Sequence, residues 1–132
     1  MSSIFELKVY YEDTDFSGVV YHSNYLKFIE RARSDLILTA GFDQLKLRKN
    51  GINFVVRRLS ATFLKPAHFQ DSLSVKTIIR KIGGASINLE QKIIRKGACL
   101  FVAEVELALV SDFRPMRIPR EMRDKIVALT QF

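Results

Sequence analysis

A carboxylate cluster, a histidine and the start of a helix fall together near the N-terminus. Glu12, Asp13 and Asp15 close an alternating stretch, and His22 follows Asp15 by seven residues. Ser17 and Gly18 mark a turn between them. Ser23 and Asn24, either of which is a good N-cap, then lead into a strongly periodic segment. A carboxylate supplies a base or nucleophile, and a histidine adds a second titrating group. The free N–H groups of a helix start form a preformed oxyanion site.

Asp15 is the first candidate. Asp13 and Glu12 are expected to crowd it in a partly buried setting, which suits a base. The plainer reading is a turn aspartate that accepts from the next backbone amides. For His22 the plainer reading is a ring that only packs where the helix begins. Glu30 lies about two turns into the helix, three residues before Arg33. The two are expected to form an ion pair, because Arg33 falls on the apolar face and needs a partner.

These groups must be held by a strand on one side and a helix on the other. Residues 4–11 alternate, with Phe5, Leu7, Val9 and Tyr11 on one face, which predicts a half-buried strand. From about Asn24 to Ala40 the apolar residues Tyr25, Leu26, Phe28, Ile29, Ala32, Leu36, Ile37 and Ala40 fill roughly half the circumference of a helix. Gly41 ends it. So wide an apolar face suits a helix that a sheet wraps. Phe42–Gly51 reads as a loop.

Four β segments follow. Residues 52–65 place Leu59, Ala61 and Phe63 on one face, and Pro66 bars continuation. Residues 72–82 alternate through Leu73, Val75, Thr77 and Ile79. Gly83-Gly84 and Lys96-Gly97 mark hairpins. Residues 85–96 group Ile87, Leu89 and Ile93, and residues 99–111 group Phe101, Ala103, Val105, Leu107 and Leu109. A short helix is expected over 118–130, with Pro119 near its first turn.

The 132 residues form a single expected domain, 1–132, of α+β class: a long helix against an antiparallel sheet of about five strands, then a short C-terminal helix. Hydrophobic residues make up 48% and charged ones 27%, which suits a globular protein with its own core. Cys99 is the single cysteine, so no internal disulfide forms and a reducing, cytoplasmic setting is expected. No signal peptide and no membrane span is read from the chain. Residues 1–66 carry ten basic and seven acidic groups, and residues 67–132 eleven and seven, which together give the net charge of +7. A basic surface favours a polyanionic partner. The densest supply is at Arg114, Arg117, Arg120, Arg123 and Lys125. No phosphate-binding loop and no aromatic-rich RNA motif is present, so nucleic acid is not an expected partner. His68 lacks a Cys or His partner at metal spacing and is read as structural, and Cys99 opens a strand with no catalytic context.

The run DTDFSGVVYHSNYLKFIERAR resembles the signature of hotdog-fold acyl-CoA thioesterases. It is most like the YbgC-type branch, which is related to the 4-hydroxybenzoyl-CoA thioesterases. Tyr11, Thr14, Asp15, Gly18, Val20, Tyr21, His22, Tyr25 and Glu30 carry the match. ATFLKPAHFQDSLSV and IGGASINLEQKI extend it more loosely. The resemblance implies hydrolysis of an acyl-CoA thioester without metal or redox cofactor. It puts the catalytic carboxylate at Asp15 and a carbonyl-polarising backbone N–H at His22, and another lineage's catalytic glutamate falls near Glu30. Tyr25 and Ser86 fall at the substrate, Ser86 on a strand near the channel. Lys65, Arg95, Lys96, Arg114 and Arg117 are the cations available to coenzyme A phosphates. The resemblance also implies a homodimer or homotetramer with the site between subunits. Rival readings are a hotdog dehydratase, or a non-enzymatic module that binds an acyl carrier protein or an envelope complex.

Overall fold

The computed structural model describes residues 2–129. Strand β1 is Ser2–Lys8, helix α1 Asn24–Thr39, helix α2 Gln44–Lys49 and strand β2 Ile52–Phe63. Strands β3 (Ser72–Ile82), β4 (Ser86–Arg95) and β5 (Ala98–Ser111) follow, with a two-residue β6 at Arg114–Pro115 and helix α3 at Arg120–Ala128. The sheet is antiparallel in the order β1-β3-β4-β5-β2, and β6 adds to β5. Ladder irregularities at Val56/Arg58, Ile79/Lys81 and Ile93/Ile94 let long strands bend. Among the described residues no helix is long and apolar enough to cross a membrane.

The alternation read from the sequence is the inner face of this sheet. Leu73, Val75, Ile87, Leu89, Ile93, Phe101, Ala103, Val105, Leu107 and Leu109 are buried with Phe28, Ile29 and Ala32 of α1 in one core. Leu26 is the exception on the helix face, being exposed. Met122 and Ile126 of α3 join the core. Residue 130, the last of the expected C-terminal helix, lies outside the described residues.

Three expectations are corrected. Phe42–Gly51 is not all loop. Asp43 caps α2 by accepting from the N–H of Leu45 at 2.9 Å and of Lys46 at 3.4 Å. The first strand stops at Lys8, and Tyr11 is exposed in a short 3-10 turn at Tyr11–Asp13. Asp13 causes the break, because its Oδ2 takes the Tyr10 N–H at 2.9 Å. Neither Ser23 nor Asn24 caps α1: Ser23 has helical backbone angles and makes no capping bond, while the Asn24 side chain turns to Asp13.

Candidate active site

Asp15 sits in a tight turn between β1 and α1. Its Oδ1 accepts the Ser17 N–H at 2.8 Å, and its backbone carbonyl accepts from Gly18 at 3.0 Å. Gly18 has φ +82°, a conformation that costs a residue without Cβ little. The Asp15 N–H in turn donates to the Val19 carbonyl at 2.9 Å. A second segment seats the turn. Val20 donates to the Ala67 carbonyl at 2.8 Å, and Val19 bridges His68. Asp15 is exposed, and among the described residues no donor meets its Oδ2. The expected crowd of carboxylates does not form. Asp13 is 5% exposed and turned inward, held by Tyr10 and Asn24, and Glu12 faces solvent.

Asp13 ties the two halves of the site together. Its backbone carbonyl accepts the Tyr21 N–H at 2.9 Å and the Asn24 Nδ2 at 3.3 Å, and its Oδ1 takes Asn24 Nδ2 at 3.3 Å. The helix start is thereby tied to Asp13, two residues before Asp15. Asn24 is spent on this tie and Ser23 makes no cap, so no side chain occupies the first-turn N–H groups. Among the described residues no acceptor meets the N–H of His22 or Ser23. These donors stand at the positive end of a 16-residue helix. The His22 ring is exposed and packs on Tyr21 (centroids 4.5 Å apart) and edge-on to Phe63 (6.4 Å). It makes no hydrogen bond or ion pair to Asp15.

Asp15, His22, Tyr25 and Lys65 line one open cleft of about 340 Å³, together with Val19, Val20, Phe63, Leu64 and Pro66. Tyr25 is buried and stacks on Phe101 at 5.2 Å. Its hydroxyl accepts the Ala67 N–H at 3.0 Å. Burial pushes the Tyr25 hydroxyl above its ordinary pKa, and the Ala67 bond only partly offsets this.

The other predicted groups divide between the two ends of the sheet. Arg95 is near the cleft but committed. Its Nη1 meets Asp71 Oδ2 at 2.7 Å and reaches the Pro66 carbonyl at 3.4 Å. Burial works to raise the Asp71 pKa, but Arg95 and the His68 N–H hold it below the ordinary value. Lys96 is exposed in the β4–β5 turn, with φ +47°. Ser86 pairs with Ala108, whereas the cleft lies at the level of Phe63, Phe101 and Ile93. At about 3.4 Å per residue, Ser86 is roughly 24 Å along β4 from that level. Arg114 and Arg117 lie at the Ser86 end, where Ile118 donates to the Gly84 carbonyl at 2.8 Å. One chain therefore does not bring Ser86, Arg114 or Arg117 to Asp15.

Glu30 and Arg33 do not form the expected ion pair. Arg33 Nη1 donates to Gln91 Oε1 at 2.9 Å, and Gln91 Nε2 donates to the Ile29 carbonyl (2.9 Å) and Thr77 Oγ1 (3.0 Å). Gln91 had a sequence signal: it is the one polar residue among Ile87, Leu89 and Ile93 on the inner face of β4. Among the described residues no three His, Cys, Asp or Glu side chains are placed to hold a metal.

A long helix wrapped by a curled antiparallel sheet, with a carboxylate and free N–H groups at the helix start, defines a class. The chain belongs to the thioesterase superfamily, whose family model matches residues 17–99, and its fold is that of the hotdog thioesterases. Within that class it is similar to the acyl-CoA thioesterase YbgC of Haemophilus influenzae, 38% identical over 122 residues that cover 90% of each chain. The acyl-CoA thioester hydrolase YbgC of Escherichia coli is 37% identical over 124 residues, covering 92% of this chain and 90% of that one. Among solved structures, a probable thioesterase from Bartonella henselae superposes with a TM-score of 0.86 at 39% identity, covering 90% of this chain and all of the other.

Proposed function

We propose that the protein hydrolyses acyl-CoA thioesters to the free acid and coenzyme A, with Asp15 and the His22 backbone N–H as its working groups. The observation that carries this assignment is their convergence on one cleft, with one carboxylate oxygen and the N–H groups of His22 and Ser23 uncommitted among the described residues. The thioester carbonyl oxygen rests on the N–H groups of His22 and Ser23. These oppose the negative charge that develops as the carbonyl becomes tetrahedral. Asp15 then acts in one of two ways. It takes a proton from the water that attacks the carbonyl carbon, or its own oxygen attacks and forms a mixed anhydride that water opens. Either way the C–S bond breaks, the thiolate leaves with a proton, and no step draws on a metal or redox cofactor.

Tyr25 walls the acyl end of the cleft and Lys65 its mouth. A second copy supplies the rest. Among the described residues strand β2 pairs with β5 alone, which leaves its other edge open. Antiparallel pairing of two β2 edges sets the Phe63 end of one against the Ile52 end of the other. That arrangement carries the Ser86, Arg114 and Arg117 end of the second copy towards this chain's Asp15, so the working unit is a homodimer or a tetramer built from it. The two arginines and Lys96 then serve the coenzyme A phosphates, while Arg95 acts through Asp71. The net charge of +7 also suits an acyl group delivered on an acidic carrier protein. The single cysteine and the thioester substrate support a cytoplasmic setting.

Release of free thiol from an acyl-CoA series tests the activity. Asp15→Asn is expected to lower kcat by orders of magnitude with little change in KM, because a carboxamide is neither base nor nucleophile. Near-normal kcat in that variant would move the chemistry elsewhere, with Glu30 first in line. Single turnover in ¹⁸O-water separates the two routes: label in the Asp15 carboxylate marks the anhydride.

A further inference from the structure

The seam between α1 and β2 holds a second cleft. The first, at Asp15, is walled by Tyr25 of α1 and Phe63 of β2. The second, about 350 Å³, is walled by Glu30, Arg33 and Ser34 of α1 and by Phe54, Val55 and Val56 of β2. Tyr25 and Arg33 are eight residues apart, about 12 Å along the helix at 1.5 Å per residue. Both clefts open between the same two elements.

Arg33 is 8% exposed. A guanidinium carries five N–H donors, yet among the described residues its one hydrogen bond goes to the neutral amide oxygen of Gln91. No carboxylate stands within ion-pair distance of it among the described residues. Glu30 is the nearest acid on its own helix face. It lies exposed on the rim of the same cleft, where its charge favours the guanidinium without coming within ion-pair distance of it. A buried charge is costly to leave without an opposite charge, and an arginine suits a carboxylate because its planar fork binds both oxygens. The apolar walls beside it, Phe54 and Val55, suit methylene groups.

We propose that Arg33 reads the far end of the acyl group, and that the preferred substrates are acyl-CoA thioesters whose medium-length acyl chain ends in a second carboxylate. This rests on the thioester-hydrolase assignment above and names the substrate class for it. The thioester carbonyl stays at His22, the methylenes follow the α1–β2 seam, and the terminal carboxylate makes the direct ion pair with Arg33 that Glu30 is too far away to make. A chain ending in a methyl group makes no such pair. A carboxylated chain too short to span the seam gains nothing.

The test compares kcat/KM for two acyl-CoA series of matched chain length, one methyl-terminated and one ω-carboxylated. For the wild-type protein the carboxylated series should be favoured by about tenfold or more at its best length, as a charge-assisted bond implies. In Arg33→Gln that ratio should collapse towards one, and in Arg33→Lys, which keeps the charge, it should be partly retained. A wild-type ratio at or below one at every length would overturn the proposal, whether or not either variant folds. So would a ratio left intact in folded Arg33→Gln. If both series are hydrolysed equally, only this proposal falls. If neither is hydrolysed, the activity itself falls and this proposal with it.

Discussion

Tyr25 shows how one atom can matter more than its residue type suggests. Its ring is core, stacked on Phe101 and edge-on to Phe28 and Phe63. Its hydroxyl takes the Ala67 N–H, in the segment that seats the Asp15 turn. Tyr25→Phe keeps the ring and leaves a buried N–H without a partner. The expected loss is about 1–3 kcal/mol of stability, read as a lower urea midpoint at unchanged m-value. An unchanged midpoint would show that water or a shifted backbone satisfies Ala67. That Asp15 and His22 would meet in one cleft was legible from their spacing about the turn. The partners of Tyr25 and Arg33 were not. Glu30 is the nearest acid in sequence to Arg33, but the bond goes to Gln91, 58 residues away. Local spacing ranks neighbours on a helix and says nothing of what the sheet brings against it.

Periodicity read the long elements well because each buries one face along its whole length. It failed where a local polar contact outweighed pattern. Alternation ran on through Tyr11, but Asp13 pulls the Tyr10 N–H out of the sheet. Helix α2 has six residues and no buried one, so a 3.6-residue period had nothing to register. The connection between β2 and β3 is another element ordered by polar contacts. Asp71 accepts from the His68 N–H at 2.8 Å and from Arg95 at 2.7 Å, and the Asp71 carbonyl accepts the Val9 N–H at 2.9 Å. Burial opposes the charged Asp71 carboxylate, yet Arg95 and His68 bring its pKa below the ordinary 3.8. A depressed carboxylate contributes stability that is present above 3.8 and lost as pH falls through the lower folded value. Arg95→Gln should therefore destabilise the protein at neutral pH, and the difference from wild type should shrink as the pH drops below 3.8. Parallel stability curves for the two proteins across that range would show that Arg95 does not act through this carboxylate. The side chains are partly exposed, so the effect is a fraction of that of a buried pair.

At the scale of the whole molecule, the sheet separates groups that the proposed chemistry would use together. Asp15 and the first turn of α1 occupy one end, and Ser86, Arg114 and Arg117 the other. This separation was invisible in the sequence, because strand register, not chain distance, decides which ends meet. If two copies join through their β2 edges, each site takes its carboxylate from one chain and its arginines from the other. Complementation tests this directly. A protomer with Asp15→Asn is expected to be inactive, and one with Arg114→Glu and Arg117→Glu is expected to bind acyl-CoA poorly at both of its sites. Mixed after reversible dissociation, they form heterodimers with one site of each kind: one pairs an intact Asp15 with intact arginines, and the other has neither. About half of the wild-type kcat at near wild-type KM is then expected from each heterodimer. If the arginines instead serve the Asp15 of their own chain, every site in the mixture carries one defect and mixing restores nothing. Raising the salt should raise KM in wild type and in the restored heterodimer alike, since exposed ion pairs are screened over about 8 Å at physiological ionic strength. A salt-independent KM in wild type would remove the phosphate role of the arginines even if complementation succeeded.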